Sequence, residues 1–95
     1  MELKDTIEMM SSEDYKERFK AEYYQTKIRY EKLKKFNVTV EAANALRANG
    51  GSIKVFNHDV PKLNCPAEIL QMQQRMMGEY LHTLEIRAVI DDIEL

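Results

Sequence analysis

The stretch 13-EDYKERFKAEYYQTKIRYEKLKKF-36 decides the fold of this chain. Apolar and aromatic side chains recur in it at alternating steps of four and three residues, namely Phe19, Tyr23, Thr26, Tyr30 and Leu33. This spacing places them on one face of an α-helix that packs against another helix. Ser12 can cap the first turn and acids follow it, so we expect the helix to span residues 12–36.

The same stretch is basic, whereas the whole 95-residue chain has a net charge of -2. Its eight lysines and arginines exceed its acids by three. The compensating acids are concentrated near the C-terminus, where residues 65–95 carry a net charge of -4. Opposite charges favour antiparallel pairing of these two segments, although each exposed ion pair adds only a fraction of a kcal/mol.

A second long helix is predicted to start at Pro66 and to run close to the C-terminus, because proline is well tolerated in a first helical turn. Its seam repeats the four-three spacing through Leu70, Gln74, Met77, Leu81, Leu84 and Ala88. Further apolar residues widen this face: Ile69, Met72, Met76, Tyr80, Ile86, Ile90 and Ile93. One partner helix cannot cover so wide an apolar surface, so we expect self-association into a bundle.

The remaining segments are a leading helix and an irregular connection. Within the connection we expect a short helix over 40–49, a turn at Gly50-Gly51 and an extended segment at 52-SIKVF-56. The predicted fold is therefore a single all-α domain, an antiparallel pair of long helices that assembles into a helical homo-oligomer. Its parts are a leading helix (1–11), a basic aromatic helix (12–36), the connection (37–64) and a Met-rich acidic helix (65–95).

Several classes of function find no support in the residues. No run of about 18 to 20 apolar residues is present to cross a membrane, and the N-terminus lacks a signal-peptide pattern, so we expect a cytoplasmic protein. The near-neutral charge argues against binding to double-stranded nucleic acid. His58, His82 and the lone Cys65 form no metal-ligand pattern, and no serine has a histidine and an acid nearby. We expect no catalytic residue, no metal and no cofactor.

The basic aromatic helix carries the one combination that suits a ligand. Tyrosines offer flat faces and hydroxyls, while lysine and arginine offer charged donors, as a small phosphorylated nucleotide requires. The candidate ligand-binding residues are Tyr15, Lys16, Arg18, Lys20, Tyr24 and Arg29. The alternative interpretation is structural, with the seam tyrosines in the core and the bases merely solvated.

Three quoted blocks carry a resemblance to a known family: 14-DYKERFKAEYYQTKIRYEKL-33, the Cys65-Pro66 pair and 77-MGEYLHTLEIRAVIDDIEL-95. They resemble small helical phage and prophage proteins named after an open reading frame of a crAss-like gut phage, whose connection is shorter. In architecture the chain is more distantly similar to anti-CBASS sponge proteins, which sequester cyclic oligonucleotide signals of bacterial immunity without cleaving them.

The resemblance implies a non-enzymatic homo-oligomer in the cytoplasm of an infected or lysogenic bacterium. Such a protein would bind a signal of the cyclic oligonucleotide or cyclic ADP-ribose type between subunits and so counter host defence. An alternative is an inhibitor that presents its acidic Met-rich helix, including Asp91, Asp92 and Glu94, to a host defence protein. A purely structural phage accessory protein without a ligand is the third possibility.

Overall fold

The computed structural model describes residues 1–48, 54–55, 58–59 and 63–95. A 3₁₀ turn at Leu3–Thr6 leads into a short helix, and a long helix, two paired strands and a second long helix follow. The elements are α1 (Ile7–Met10), α2 (Tyr15–Ala48), β1 (Lys54–Val55), β2 (His58–Asp59) and α3 (Ala67–Ile90). Within the described residues no helix combines the length and apolar character that crossing a bilayer requires.

Helix α2 begins at Tyr15, three residues later than predicted, because Asp14 and not Ser12 caps it. The Asp14 carboxylate accepts the Lys16 N–H at 3.0 Å, and the Asp14 carbonyl accepts the Arg18 N–H at 3.1 Å. The Ser12 hydroxyl instead accepts the N–H of Asp14 at 3.1 Å. A charged carboxylate at the positive end of the helix dipole is the stronger partner for the free N–H groups.

The predicted end of this helix at residue 36 is wrong, because α2 continues without a break through Asn37. Asn37 is 4% exposed, and its side-chain amide donates to the Leu70 carbonyl at 3.2 Å and to Gln74 Oε1 at 2.8 Å. Both acceptors belong to α3, so contacts between helices hold the residue that was expected to end α2. The low helix propensity of asparagine and valine costs only about 0.5 kcal/mol each, which such contacts offset.

The prediction of a separate short helix over 40–49 is also wrong. Its described residues form the last turns of α2, in which Val40 and Ala43 are buried. Thr39 does not cap a new helix, because its hydroxyl donates to the Lys35 carbonyl one turn earlier at 3.0 Å. The result is one helix of 34 residues that spans the predicted basic helix and part of the predicted connection.

Strand β1 lies within the segment predicted as extended, residues 52–56, whereas β2 lies just beyond it. Lys54 pairs with Asp59 and Val55 pairs with His58 in an antiparallel ladder. The remainder of 52–56 and the predicted turn at Gly50-Gly51 lie outside the described residues.

Helices α2 and α3 form the predicted antiparallel pair. Lys16 and Tyr23 near the start of α2 contact Asp92 and Glu85 near the end of α3, whereas Asn37 contacts Leu70 near its start. The core between them consists of Phe19, Tyr23, Leu81, Leu84, Ala88 and Ile93, with Tyr24 and Tyr30 packed against it. Tyr23 is thus a core residue, as the structural interpretation of the tyrosine seam expected.

Helix α3 ends in a turn that brings the C-terminal segment back to the core. The N–H of Ile93 donates to the Ala88 carbonyl at 2.8 Å, and the N–H of Asp92 donates to the Val89 carbonyl at 3.4 Å. Asp92 has a φ of 55°, the left-handed conformation that this type of helix end requires. Because of this turn, Ile93 is buried although it lies beyond the helix.

The leading segment packs on α2 through one buried side chain. Thr6 is fully buried, and its hydroxyl donates to the Leu3 carbonyl at 2.7 Å and accepts from Gln25 Nε2 at 2.9 Å. The segment predicted as one helix over 1–11 is therefore a 3₁₀ turn followed by one turn of α-helix.

Candidate functional site

The cations of α2 lie on two faces of the helix. At about 100° of rotation per residue, Lys16, Lys20, Lys27 and Lys34 fall within about 40° of one another. We call this side, with its tyrosines Tyr23, Tyr24 and Tyr30, the lysine face. Arg18 and Arg29 lie on roughly the opposite side of the helix with Tyr15, and we call this side the arginine face. The contact with α3 lies between the two faces.

The six predicted ligand-binding residues are therefore divided. Lys16, Lys20 and Tyr24 belong to the lysine face, whereas Tyr15, Arg18 and Arg29 belong to the arginine face. A single small ligand bound to one copy cannot contact both sets, because the body of the helix separates them.

A crevice opens between α2 and α3 on the lysine face. It encloses about 240 Å³ and is lined by Tyr23, Lys27, Tyr30, Glu31, Gly78, Leu81 and Glu85. A Cβ atom at Gly78 would lie 3.4 Å from the Tyr30 hydroxyl oxygen, within van der Waals contact. The Tyr30 ring therefore lies against the α3 backbone at Gly78 and forms part of the wall of the crevice.

Tyr23 organises the crevice from its buried position. Its hydroxyl donates to Glu85 Oε2 at 3.1 Å. Burial, and then the hydrogen bond and negative charge of Glu85, raise the pKa of Tyr23 to about 12, so the hydroxyl remains a donor at neutral pH. The Lys27 ammonium lies 5.9 Å from the Tyr23 ring centroid, and the Tyr24 ring meets the Tyr23 ring edge-on at 5.2 Å. The buried Tyr23 ring thus contacts both the Lys27 ammonium group and the half-buried Tyr24 ring.

The other lysines of this face have only weak partners. Lys20 Nζ lies 3.5 Å from Glu17 Oε1, and Lys16 Nζ donates to the Asp92 carbonyl at 3.3 Å. Exposed pairs of this kind contribute between 0 and about 1 kcal/mol. An anionic ligand can therefore recruit these ammonium groups at little cost.

On the arginine face, side chains of α2 and α3 bind one another. Arg87 of α3 donates to the Tyr15 hydroxyl at 2.8 Å and lies 5.1 Å from the Phe19 ring centroid. The Arg18 guanidinium donates to the Ser12 carbonyl at 2.8 Å. These contacts use the Tyr15 hydroxyl and part of the Arg18 guanidinium, both of which were predicted to bind a ligand.

The arginine face also contains a hydrogen bond between the two helices and the exposed Arg29. Tyr80 of α3 donates a hydrogen bond to Glu22, which is the main cause of the raised pKa of Tyr80. Arg29 is exposed and lies about three turns beyond Arg18 and about four turns beyond Tyr15 along the axis. Glu22 lies between these bases along the helix, and its negative charge offsets part of their attraction for an anion.

The sequence analysis missed the contribution of α3 to the crevice. Gly78 and Glu85 are seven residues apart, and Leu81 lies between them, so all three lie towards the α2-facing side of the helix. That spacing was visible in the sequence. Which residue of α2 each would meet was not, because the register of the two helices depends on how the whole seam packs.

In the part of the chain that the structure describes, no group of three or more histidine, cysteine or acidic side chains is arranged to hold a metal ion. The crevice combines aromatic rings, a lysine ammonium group and two carboxylates.

Comparison with known proteins gives one finding. A protein-family model described as Sequestin matches residues 13–50. The matched segment contains all of α2 and all six predicted ligand-binding residues, but it is less than half of the chain. No curated protein and no solved structure matches the sequence.

Proposed function

We propose that the protein binds a small nucleotide-derived immune signal, of the cyclic oligonucleotide or cyclic ADP-ribose type, and holds it without converting it. By lowering the free concentration of the signal, a phage or prophage protein of this kind counters host anti-phage defence. The observation that carries the proposal is the Sequestin match over residues 13–50. The family name describes sequestration, and the matched segment supplies the lysines and tyrosines of the lysine face.

The chemistry of the lysine face supports a nucleotide as the ligand. Lys20 and Lys27 provide ammonium groups for phosphate oxygens, and Tyr24 provides an aromatic surface for a base. The carboxylates of Glu31 and Glu85 provide acceptors for ribose hydroxyls, a pairing that dinucleotide-binding proteins also use. All three chemical parts of a nucleotide thus find a partner in or beside the crevice.

The size of the crevice limits how the ligand lies. Its volume of about 240 Å³ is below the roughly 300 to 1,000 Å³ of pockets that enclose a drug-sized ligand. In the proposed complex one base or sugar enters the crevice, and the phosphates remain outside over the exposed lysines. A second copy of the protein then covers the rest of the ligand, as in a homo-oligomer that binds between subunits.

The proposal is tested by isothermal titration of the purified protein with a panel of cyclic dinucleotides, cyclic trinucleotides and cyclic ADP-ribose variants. At least one ligand is expected to bind at micromolar concentration or below. Lys27→Ala and Lys20→Ala should each weaken that binding by about tenfold or more, the effect of losing a hydrogen bond to a charged group. Circular dichroism should show unchanged helix content, because neither side chain is buried in the core.

Arg29→Ala is the matched control, because it removes a cation from the same helix on the arginine face. The affinity of the Arg29→Ala variant for the nucleotide should stay within about twofold of the wild-type value. Absence of binding to every member of the panel removes the proposal. A loss of affinity in Arg29→Ala or Arg18→Ala with none in Lys27→Ala would assign the ligand to the arginine face.

A further inference from the structure

The side of α3 that faces away from α2 carries a second, unpartnered seam. Its positions follow one another at alternating steps of three and four residues, namely Ile69, Met72, Met76, Glu79, Thr83, Ile86 and Ile90. The five apolar members are between 42% and 75% exposed. This is the 3.5-residue repeat with which helices pair as coiled coils. We call these seven residues the outer seam.

The chain exposes enough surface to supply an interface with a second copy. The chain exposes 7097 Å², whereas a folded monomer of 11.2 kDa is expected to expose about 5,700 Å². The excess of about 1,400 Å² is larger than the roughly 800 Å² that each partner buries in a standard interface. A seam about 32 Å long supplies a contact of that kind.

The two polar members of the seam determine which orientation a second copy takes. If two α3 helices paired in parallel, Glu79 would lie beside the partner's Glu79 in the middle of the interface, and like charges there repel. In an antiparallel pair, a seam residue that precedes a step of three meets a partner residue that precedes a step of four. Glu79 then faces the partner's Thr83, whose hydroxyl is a hydrogen-bond donor.

The same antiparallel register matches the apolar members of the seam. Met76 lies against the partner's Ile86, and Met72 lies against the partner's Ile90. Because a twofold axis relates the two copies, each of these layers occurs twice. Four apolar layers thus flank two layers in which a carboxylate meets a hydroxyl. The Thr83 hydroxyl now donates to the Glu79 carbonyl of its own helix at 3.1 Å and needs only a rotation to reach the partner.

We propose that the outer seam of α3 is a homodimer interface, in which α3 pairs antiparallel with the α3 of a second copy and Glu79 faces the partner's Thr83. This inference does not depend on nucleotide binding. Gly78 and Glu85, the α3 residues of the crevice, lie about 130° or more around the helix from the centre of the seam. The crevice of each copy therefore stays open in this dimer, so a copy that covers a bound ligand is not the α3 partner.

Sedimentation equilibrium of the full chain tests the interface. The wild-type protein is expected to be dimeric at micromolar concentration. Met76→Glu places an unpaired charge in two symmetric layers, and it should weaken dimerisation by roughly 100-fold or more while helix content is retained. Val89→Glu is the matched control, because it makes the same change at an exposed apolar residue of α3 outside the seam. This variant should remain dimeric.

Disulfide cross-linking tests the orientation in a Cys65→Ser background. Met76→Cys combined with Ile86→Cys should give a covalent dimer on oxidation, because these positions face one another in the antiparallel pair. Met76→Cys alone should not, since its two copies lie far apart. A monomeric wild-type protein, a dimer that survives Met76→Glu, or efficient cross-linking of Met76→Cys alone would each overturn the proposal, the last in favour of a parallel pair.

Discussion

Replacing Leu84 by alanine is expected to lower the free energy of unfolding by about 3 to 5 kcal/mol, the range for a leucine whose cavity cannot collapse. Leu84 is fully buried between α2 and α3, in the cluster that contains Phe19 and Leu81. Few side chains of this small core are buried so completely. A domain of this size has a total stability of roughly 5 to 10 kcal/mol, so one substitution removes a large part of it.

Urea denaturation followed by circular dichroism measures this loss. Leu46→Ala is the matched control, because Leu46 lies on α2 with 39% of its surface exposed, and it should lose less than about 1 kcal/mol. All variants are compared at one protein concentration, since self-association would add to the apparent stability. A loss at Leu84 no larger than that at Leu46 would contradict the assignment of the core.

Replacing Asn37 by aspartate is expected to cost about 3 kcal/mol or more at neutral pH, because it leaves a buried charge without a partner. The side-chain amide now donates to the Leu70 carbonyl and to Gln74 Oε1. An aspartate carboxylate at this position would place a hydrogen-bond acceptor against these two acceptor oxygens. The residue is only 4% exposed, so water cannot readily solvate the charge. The substitution should destabilise the pairing of α2 and α3 at a residue that was predicted to begin the irregular connection.

Two variants separate the charge from the lost hydrogen bonds. Asn37→Ala should cost only about 1 to 2 kcal/mol, the scale of two neutral hydrogen bonds. Asn44→Asp makes the same chemical change at an exposed position of the same helix, and its stability should change by less than about 0.5 kcal/mol. Equal stabilities for Asn37→Asp and Asn44→Asp would show that Asn37 does not hold the two helices together.

The packing of the two long helices was predicted from the four-three spacing of both seams, and their antiparallel orientation was predicted from their opposite charges. Prediction failed where contacts between helices outweigh local preference. Asn37 looks like a helix breaker in isolation, and only its two acceptors on α3 explain why α2 continues. Asp92 likewise gives no local signal that the chain turns and buries Ile93. Such features depend on partners that are distant in the sequence.

The candidate site was predictable to a smaller extent. Lys16, Lys20 and Tyr24 of the lysine face were among the predicted ligand-binding residues, but Tyr23, Lys27 and Tyr30, which line the crevice itself, were not. The rotation of 100° per residue already separates Lys20 and Tyr24 from Arg18 and Arg29. The contribution of α3 was not predictable, because Glu85 meets Tyr23 only in the register that the whole seam selects. A binding site between two helices needs their alignment, which the pattern of one helix does not contain.

Recovery of the ligand tests sequestration most directly. The protein is mixed with the nucleotide panel and removed by filtration, the free nucleotides are quantified, and the retained protein is heated to release what it holds. We predict that one nucleotide leaves the free pool in proportion to the protein and returns chemically unchanged on heating. A panel that stays entirely in the free pool, or a nucleotide that returns as a different product, would contradict the account.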